Sequence, residues 1–246
     1  MLAAQVRSEA HKVRSVRSLS ALPLLTTLLG PAVALLVGLT ESLRPDDTVL
    51  GGSLTGAELG LALIGAWGAL LVTTEYSTGT LWAVLAARPR RQVVLAAKTL
   101  VAVLVASTVG TLSGSLALTL GTTLLDPSKY AAGDAFPALL GVAACYPAMA
   151  CLGVAAGVAL RSSAGAVALM LSVAVLPGIL GPLLGGAGPW VSGASPSAVV
   201  AKLAQSSDAA PELLGTLGGW AALAVMFGYS MLALAGAGVL FDRRDV

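Results

Sequence analysis

The sequence predicts an all-α integral membrane protein with six transmembrane helices. Its mean hydropathy is +0.89 and only 11% of its residues are charged, against about 25% in an ordinary soluble domain. Six stretches of roughly 16 to 40 residues contain no Asp, Glu, Lys or Arg, and about 20 apolar residues in a helix cross the hydrocarbon core of a bilayer. A water-soluble fold of this length could not bury so much apolar surface.

The charges that flank these stretches set the boundaries of the spans. We expect residues 1 to 246 to form a single transmembrane domain. The predicted spans are about 20 to 40, 57 to 74, 98 to 125, 135 to 160, 164 to 185 and 213 to 240. The charge-free run from 162 to 201 is too long for one simple helix, and its Pro and Gly residues predict an irregular outer segment after the fifth span.

Within that outer segment, Ser195 and Pro196 have the N-cap and first-turn proline of a short helix. We expect this helix from about 196 to 204, packed on the outer ends of the fifth and sixth spans. Lys202 is expected to turn toward the lipid headgroups.

The basic residues are sorted between the two sides of the membrane. Eleven of the fourteen fall on the side of the N-terminus, which the positive-inside rule assigns to the cytoplasm. Both termini are therefore expected to be cytoplasmic. The eleven are Arg7, Lys12, Arg14, Arg17, Arg88, Arg90, Arg91, Lys98, Arg161, Arg243 and Arg244.

Residues 2 to 17 have the pattern of an amphipathic interfacial helix. At 100° per residue one face is apolar, and basic residues that include Lys12 and Arg14 flank it. Glu9 and Arg17 interrupt the apolar face. A basic lead-in that only fixes topology is the alternative. The residues of the apolar face are Leu2, Val6, Ala10, Val13 and Val16.

Several kinds of chemistry are missing from the sequence. No ionisable residue lies near the centre of a predicted span, which argues against proton coupling, although backbone carbonyls at the breaks in the fifth span could bind an ion. No span carries paired carboxylates, a catalytic triad or a metal cluster, so an enzyme is not expected. Of the four lysines only Lys98 precedes Ser or Thr, and Ala97 before it excludes an ATP-binding phosphate loop.

Cysteine, glycine and tryptophan are expected to serve packing and anchoring. Cys145 and Cys151 lie about 240° apart on one helix, so we expect apolar fillers rather than a disulfide or metal site. Gly-x-x-x-Gly pairs such as Gly153 and Gly157 indicate close helix packing more than dimerisation. The four tryptophans lie at or near predicted span ends and are expected to anchor the interface. They are Trp67, Trp82, Trp190 and Trp220.

The segment from Glu75 to Lys98 is the most specific in the chain. It begins with an acidic residue at the inner end of the second span, passes through a turn at Gly79 and a short amphipathic helix, and ends in a basic proline turn. Such a surface helix between two spans could be bound by a cytoplasmic partner. A basic loop that only sets topology is the alternative.

This segment resembles the E-x-x-x-G-T…P…R…K signature of ABC-2 type transporter permeases. The N-terminal Ser8-Glu9-Ala10-His11-Lys12 and the basic C-terminal tail are also similar to that family. The resemblance implies a cytoplasmic coupling helix after the second span and short outer half-helices between the fifth and sixth spans. It also implies an ATPase-coupling surface made of Glu75, Tyr76, Gly79, Thr80, Arg88, Pro89, Arg90 and Lys98, and a second contact through the N-terminal helix with Glu9, Lys12 and Arg14.

As a member of that family, the chain would be the permease subunit of an exporter in the bacterial cytoplasmic membrane. Two ATPase subunits would bind ATP and Mg²⁺, a second permease chain would complete the channel, and this chain would hold no cofactor. Apolar cavity walls favour an amphiphilic substrate such as a lipid, peptide antibiotic or drug. Membrane lipids are expected partners and nucleic acid is not, since the net charge is only +2. An ion-coupled secondary transporter and a non-transporting immunity or scaffold protein are the alternatives.

Overall fold

The protein was analysed as a computed structural model, which describes residues 2–80, 90–126 and 128–243. These residues form helices and turns, with one isolated β-bridge between Thr48 and Ala131. The helices are α1 (Leu2–Ser15), α2 (Arg17–Thr40), α3 (Val49–Leu54), α4 (Ala57–Ser77), α5 (Arg91–Leu124), α6 (Ala135–Leu160), α7 (Ser163–Leu180), α8 (Gly188–Gly193), α9 (Pro196–Leu203), α10 (Pro211–Leu214) and α11 (Gly219–Arg243).

Within the described residues, six helical segments are long and apolar enough to cross a membrane. The protein is therefore an all-helical, multi-pass membrane protein. The six segments are Arg17–Thr40, Val49–Ser77, Arg91–Leu124, Ala135–Leu160, Ser163–Gly193 and Pro211–Arg243.

The third span begins at an earlier residue than the sequence predicts. Helix α5 begins at Arg91 instead of about 98, so the charged Lys98 lies inside the helix. Charge alone was a poor marker of this helix start. The sixth segment begins at Pro211, close to the predicted 213, but Gly215, at φ +71°, ends the single turn of α10 before α11 begins at Gly219.

Helices α4 and α6 form the centre of the bundle, with their backbones in contact. A Cβ atom on Gly153 would collide with the carbonyl oxygen of Gly65, and one on Gly68 would collide with that of Ala150. Gly157 lies in the same way against the carbonyl of Ala69. The Gly153 and Gly157 pair thus packs within the chain, as close helix packing requires.

Trp67 is a core residue and not an interfacial anchor. It is fully buried in the middle of α4, and its indole N–H donates to the carbonyl of Leu19 at 2.8 Å. The expectation of anchoring was wrong here because the sequence does not show which residues of α4 face other helices. Trp190 and Trp220 are exposed, whereas Trp82 lies outside the described residues.

The charge-free run after Arg161 breaks where the prolines and glycines predict. Helix α7 ends at Leu180 and continues into a 3₁₀ segment, Gly181–Ala187, in which Gly185 has φ +53°. Helix α9 follows, and the Ser195 hydroxyl caps it by accepting from the backbone N–H of Ala198 at 3.2 Å. Its residues Val199, Val200 and Leu203 are buried.

Lys202 differs from the expectation that it turns toward headgroups. Its ammonium donates to the carbonyls of Leu214 at 2.7 Å and Gly193 at 3.4 Å. Burial lowers the pKa of Lys202 below its ordinary value. The side chain therefore ties α9 to the backbone of α8 and α10.

The two ends of the bundle differ in charge. We call the end that holds α1, Lys98, Arg161 and Arg243 the basic end. At the opposite end, exposed ion pairs join Arg44 to Asp208 and Lys129 to Glu41. Exposed pairs of this kind contribute little to stability.

Cys145 and Cys151 are buried and free, in agreement with their expected role as fillers. The described residues contain no group of His, Cys, Asp and Glu side chains that could hold a metal ion.

Candidate functional site: a buried ionic cluster at the basic end

A buried ionic cluster joins α1, α4 and α5. The Lys98 ammonium lies 2.9 Å from Glu9 Oε2 and 2.7 Å from Glu75 Oε1, and it donates to the carbonyl of Leu71 at 3.1 Å. The three charged side chains are at most 7% exposed. A charge that deep costs several kcal/mol unless opposite charges and hydrogen bonds compensate it. The charged side chains of α1, α4 and α5 therefore compensate one another, and none of them could be buried at this depth alone.

Lys12 adds a second bridge between α1 and α4. Its ammonium lies 2.6 Å from Glu75 Oε1 and 3.1 Å from Glu9 Oε1, to which Gln5 also donates at 3.2 Å. Burial lowers the pKa of Lys12, but the hydrogen bond to Glu75 and the two carboxylate charges outweigh it, so the pKa lies above its ordinary value. Two lysines and two glutamates make the cluster neutral.

Helix α1 turns inward a face that only partly coincides with the predicted apolar face. Gln5, Glu9 and Val13 are its buried residues and Val6 packs against the core, while Leu2 is 45% exposed. The buried residues follow one another at four-residue spacing and so form one stripe along the helix. Glu9, which interrupts the apolar face in the sequence, is thus the residue that attaches α1 to the bundle.

A cavity of about 340 Å³ adjoins the cluster. Glu75 Oε2 is buried and has no hydrogen-bond partner among the described residues. The side of the cavity away from α1 is formed by Thr74, Thr78 and Thr80. A buried carboxylate oxygen without a donor is costly, so this position suits a donor supplied from outside the described part of the chain.

The turn that follows α4 begins at Gly79, whose backbone conformation is unfavourable for most other residues. Gly79 follows the C-cap Thr78 and has φ +68°, a conformation favoured by glycine at the end of a helix. Thr78 and Thr80 are exposed. Just before the turn, the Arg161 guanidinium lies 5.3 Å from the centre of the Tyr76 ring, within the range of a cation–π contact.

The structure brings some of the predicted site residues together and leaves others apart. Glu75, Lys98, Glu9 and Lys12 form the cluster, whereas Arg14 is exposed and lies outside it. Arg90 is exposed at the N-cap of α5. Arg88 and Pro89, with the rest of the predicted coupling helix at 81–89, lie outside the described residues.

Lys98 has a different place from the one assigned by analogy. It was expected at the far side of the coupling turn, but it lies seven residues into α5 and pairs with Glu75. Three further hydrogen bonds at the basic end were not expected. Arg91 donates to the carbonyl of Phe241 at 2.9 Å, and Gln92 donates to that of Gly238 at 3.1 Å and to the carboxylate of Asp242.

Sequence reasoning missed the link between α1 and α4, although it singled out each residue. The available signal was the presence of two acidic residues, Glu9 and Glu75, on a side of the membrane where nearly every other charged residue is basic. An acidic residue beside an apolar helix face needs a cationic partner once it is buried.

Comparison with known proteins found no match for this chain, either among family models or among curated proteins.

Proposed function

We propose that this chain is the membrane-spanning permease subunit of an ATP-driven exporter whose ATPase is a separate polypeptide. The observation that carries the proposal is the ionic cluster. It ties the second half of α1, the end of α4 and the start of α5 into one unit, beside the turn at Gly79. A force applied to that turn would therefore reach three helices at once.

The partner surface would consist of the exposed turn and the threonine-lined cavity behind it. Thr78 and Thr80 are exposed, and Glu75 Oε2 accepts no hydrogen bond from the described residues. Because that oxygen is buried, docking would have to widen the cavity before a donor side chain of the ATPase could reach it. The N-terminal helix would form a second contact, because α1 packs beside the same turn.

The remaining features of the proposal come from the resemblance. They are a second permease chain, two ATPase subunits that bind ATP and Mg²⁺, a bacterial cytoplasmic membrane with both termini in the cytoplasm, and an amphiphilic substrate. In this assignment α1 is the interfacial helix, α8 to α10 act as outer half-helices, and residues 81–89 belong to the coupling helix. The chain itself would not hydrolyse ATP.

The test is coupled ATP hydrolysis in proteoliposomes that contain this chain and the ATPase encoded beside it. We expect the permease to change the ATP turnover of its partner, and Thr80→Arg to abolish that change, since a bulky cation would occupy the docking surface. Thr80 is exposed, so the variant should insert and fold normally. Ser128→Arg, an equally exposed change at the opposite end, is the control. ATP turnover that is the same with and without the permease would refute the proposal.

An ion-coupled secondary transporter is the second candidate, because the bundle does contain buried ionisable groups. These groups are Glu9, Glu75 and Lys98, of which Glu9 and Glu75 line the cavity. Their mutual pairing weighs against this, since each charge is already compensated. Substrate movement driven by a pH gradient in liposomes without any ATPase would favour this candidate.

A further inference from the structure

A second cavity lies between α6, α7 and α11, and its lining is wholly apolar. It measures about 590 Å³, within the range of ~300–1,000 Å³ that is typical of small-molecule sites. The described residues that line it are all Ala, Gly, Val, Leu or Met. Ala156, Met170 and Ala237 form a buried floor, while Leu169 and Val239 are exposed at the rim. We call this cavity the apolar groove.

The apolar groove stays open because α11 has a glycine where a side chain would fill it. Gly236 lines the groove, and a Cβ atom there would meet no other atom within 4 Å. The neighbouring lining residues of α11 on the same side are the small Ala233 and Ala237. The groove can therefore admit a slender hydrocarbon without movement of the backbone.

A positive charge stands just beyond one end of the groove. The groove reaches Ala159 in the last turn of α6 and Leu240 near the end of α11, so it lies in the half of the bundle next to the basic end. Arg243 is exposed and follows Leu240 by three residues and Gly236 by seven. Residues at these spacings share one face of a helix, so Arg243 continues the stripe that lines the groove.

We propose that the apolar groove holds an acyl chain of an anionic phospholipid whose headgroup pairs with Arg243. A lining without hydrogen-bonding side chains suits a hydrocarbon. It gives little selectivity in a bilayer, where the surrounding lipid is equally apolar. Selectivity comes from the charge at the end of the groove, because basic residues at a membrane surface attract anionic headgroups. The inference requires a membrane location and does not depend on the ATPase.

The experiment is native mass spectrometry of the detergent-purified full chain, titrated with phosphatidylglycerol or phosphatidylcholine that carry the same acyl chains. We expect phosphatidylglycerol to bind about fivefold more tightly, which corresponds to ~1 kcal/mol for one basic residue at the surface. Arg243→Gln should make the two affinities equal and leave phosphatidylcholine binding unchanged.

Two glycine variants on α11 test the groove itself. Gly236→Phe should weaken the binding of both lipids about tenfold by filling the groove. Gly228→Phe should leave both affinities unchanged, because Gly228 is equally open but lies outside the groove. Gly236→Leu, a smaller change, should have an intermediate effect and guards against a folding defect in the Phe variant.

Two outcomes would overturn the proposal. One is wild-type affinity for both lipids in Gly236→Phe. The other is a dimer of the wild-type chain that dissociates in Gly236→Phe without loss of bound lipid, since a second copy of the chain would then be the occupant. The same spectra report both lipid number and oligomeric state.

Discussion

Removal of the Lys98 charge should be among the most damaging single changes at the basic end. Lys98→Met keeps a side chain of similar length but leaves Glu9 and Glu75 with Lys12 as their only described cationic partner. Because Lys98 is 3% exposed, we expect a loss of ~3–5 kcal/mol, the usual cost of breaking a buried ion pair. Lys12→Met should cost ~1 kcal/mol or less, since the Lys12 side chain is 32% exposed and solvent screens it.

The magnitude can be separated from a general loss of packing by a double-mutant cycle. Lys98→Met combined with Glu75→Gln removes one charge of each sign and leaves Lys12 paired with Glu9 at 3.1 Å. The double variant should lose ~1–3 kcal/mol less than the sum of the two single variants, as for residues in one network. Reversible unfolding in mixed micelles with dodecyl sulfate gives the free energies, and amide exchange of α1 shows whether the helix has detached.

Two results would contradict this reasoning. If the losses of the single variants add in the double variant, Lys98 and Glu75 do not interact. If the amides of α1 exchange at the wild-type rate in Lys98→Met, the cluster does not hold α1 in place.

Four further predictions concern the rest of the molecule. Gly79→Ala should lower the free energy of unfolding by ~1 kcal/mol because φ is positive, and Gly79→Asn should lower it by less. Thermal unfolding measures both losses against the wild-type chain. Gly153→Ala should cost ~1–3 kcal/mol by forcing α4 and α6 apart, whereas Gly178→Ala, where the added Cβ meets nothing within 4 Å, should be neutral or slightly stabilising; equal effects would refute the close contact. Because the pKa of Lys12 is raised, its contribution to folding stability is complete below pH 10.5 and is lost as the pH rises through the folded-state pKa. Protection of α1 from proteases should therefore not change across neutral pH. Single cysteines introduced into a Cys-less chain should be labelled from the inside at positions Ser8, Gln92 and Val246. They should be labelled from the outside at Asp47, Ser128 and Ser207. Outside labelling at position 92 would contradict the expected orientation.

Composition was sufficient to predict the membrane helices, because the cost of exposing backbone and charge to lipid leaves few alternatives. The charge-free stretches located all six helices, and Gly181 and Gly185 lie in the 3₁₀ segment where the run after Arg161 breaks. Helix starts were less accurate. A lysine such as Lys98 enters a helix freely when its charge is compensated by other helices, and a single sequence carries no direct information on that pairing.

The sequence singled out the four charged residues of the cluster as contacts for a partner and did not predict that they are buried together. Glu75 and Gly79 were recognised from a local motif, and the chain does turn at Gly79. The pairing of Glu9 with Lys98 joins residues 89 positions apart, so no periodicity reveals it. The same limit applies to Trp67, whose partner Leu19 lies on another helix. Local rules predict caps and turns, while contacts between helices depend on the packing of the whole bundle.

The glycine contacts between α4 and α6 limit how this protein can move. Backbone touches backbone at Gly153 and Gly157, so a slip of one residue along the interface would drive Val154 or Val158 into a carbonyl group. The two helices therefore resist sliding past each other, since backbone groups in direct contact cannot re-pack as side chains do. The Ser163–Gly193 segment is the least constrained of the six, because only 11% of its most apolar 18 residues are buried. Its proline and glycine breaks give that segment natural hinge points.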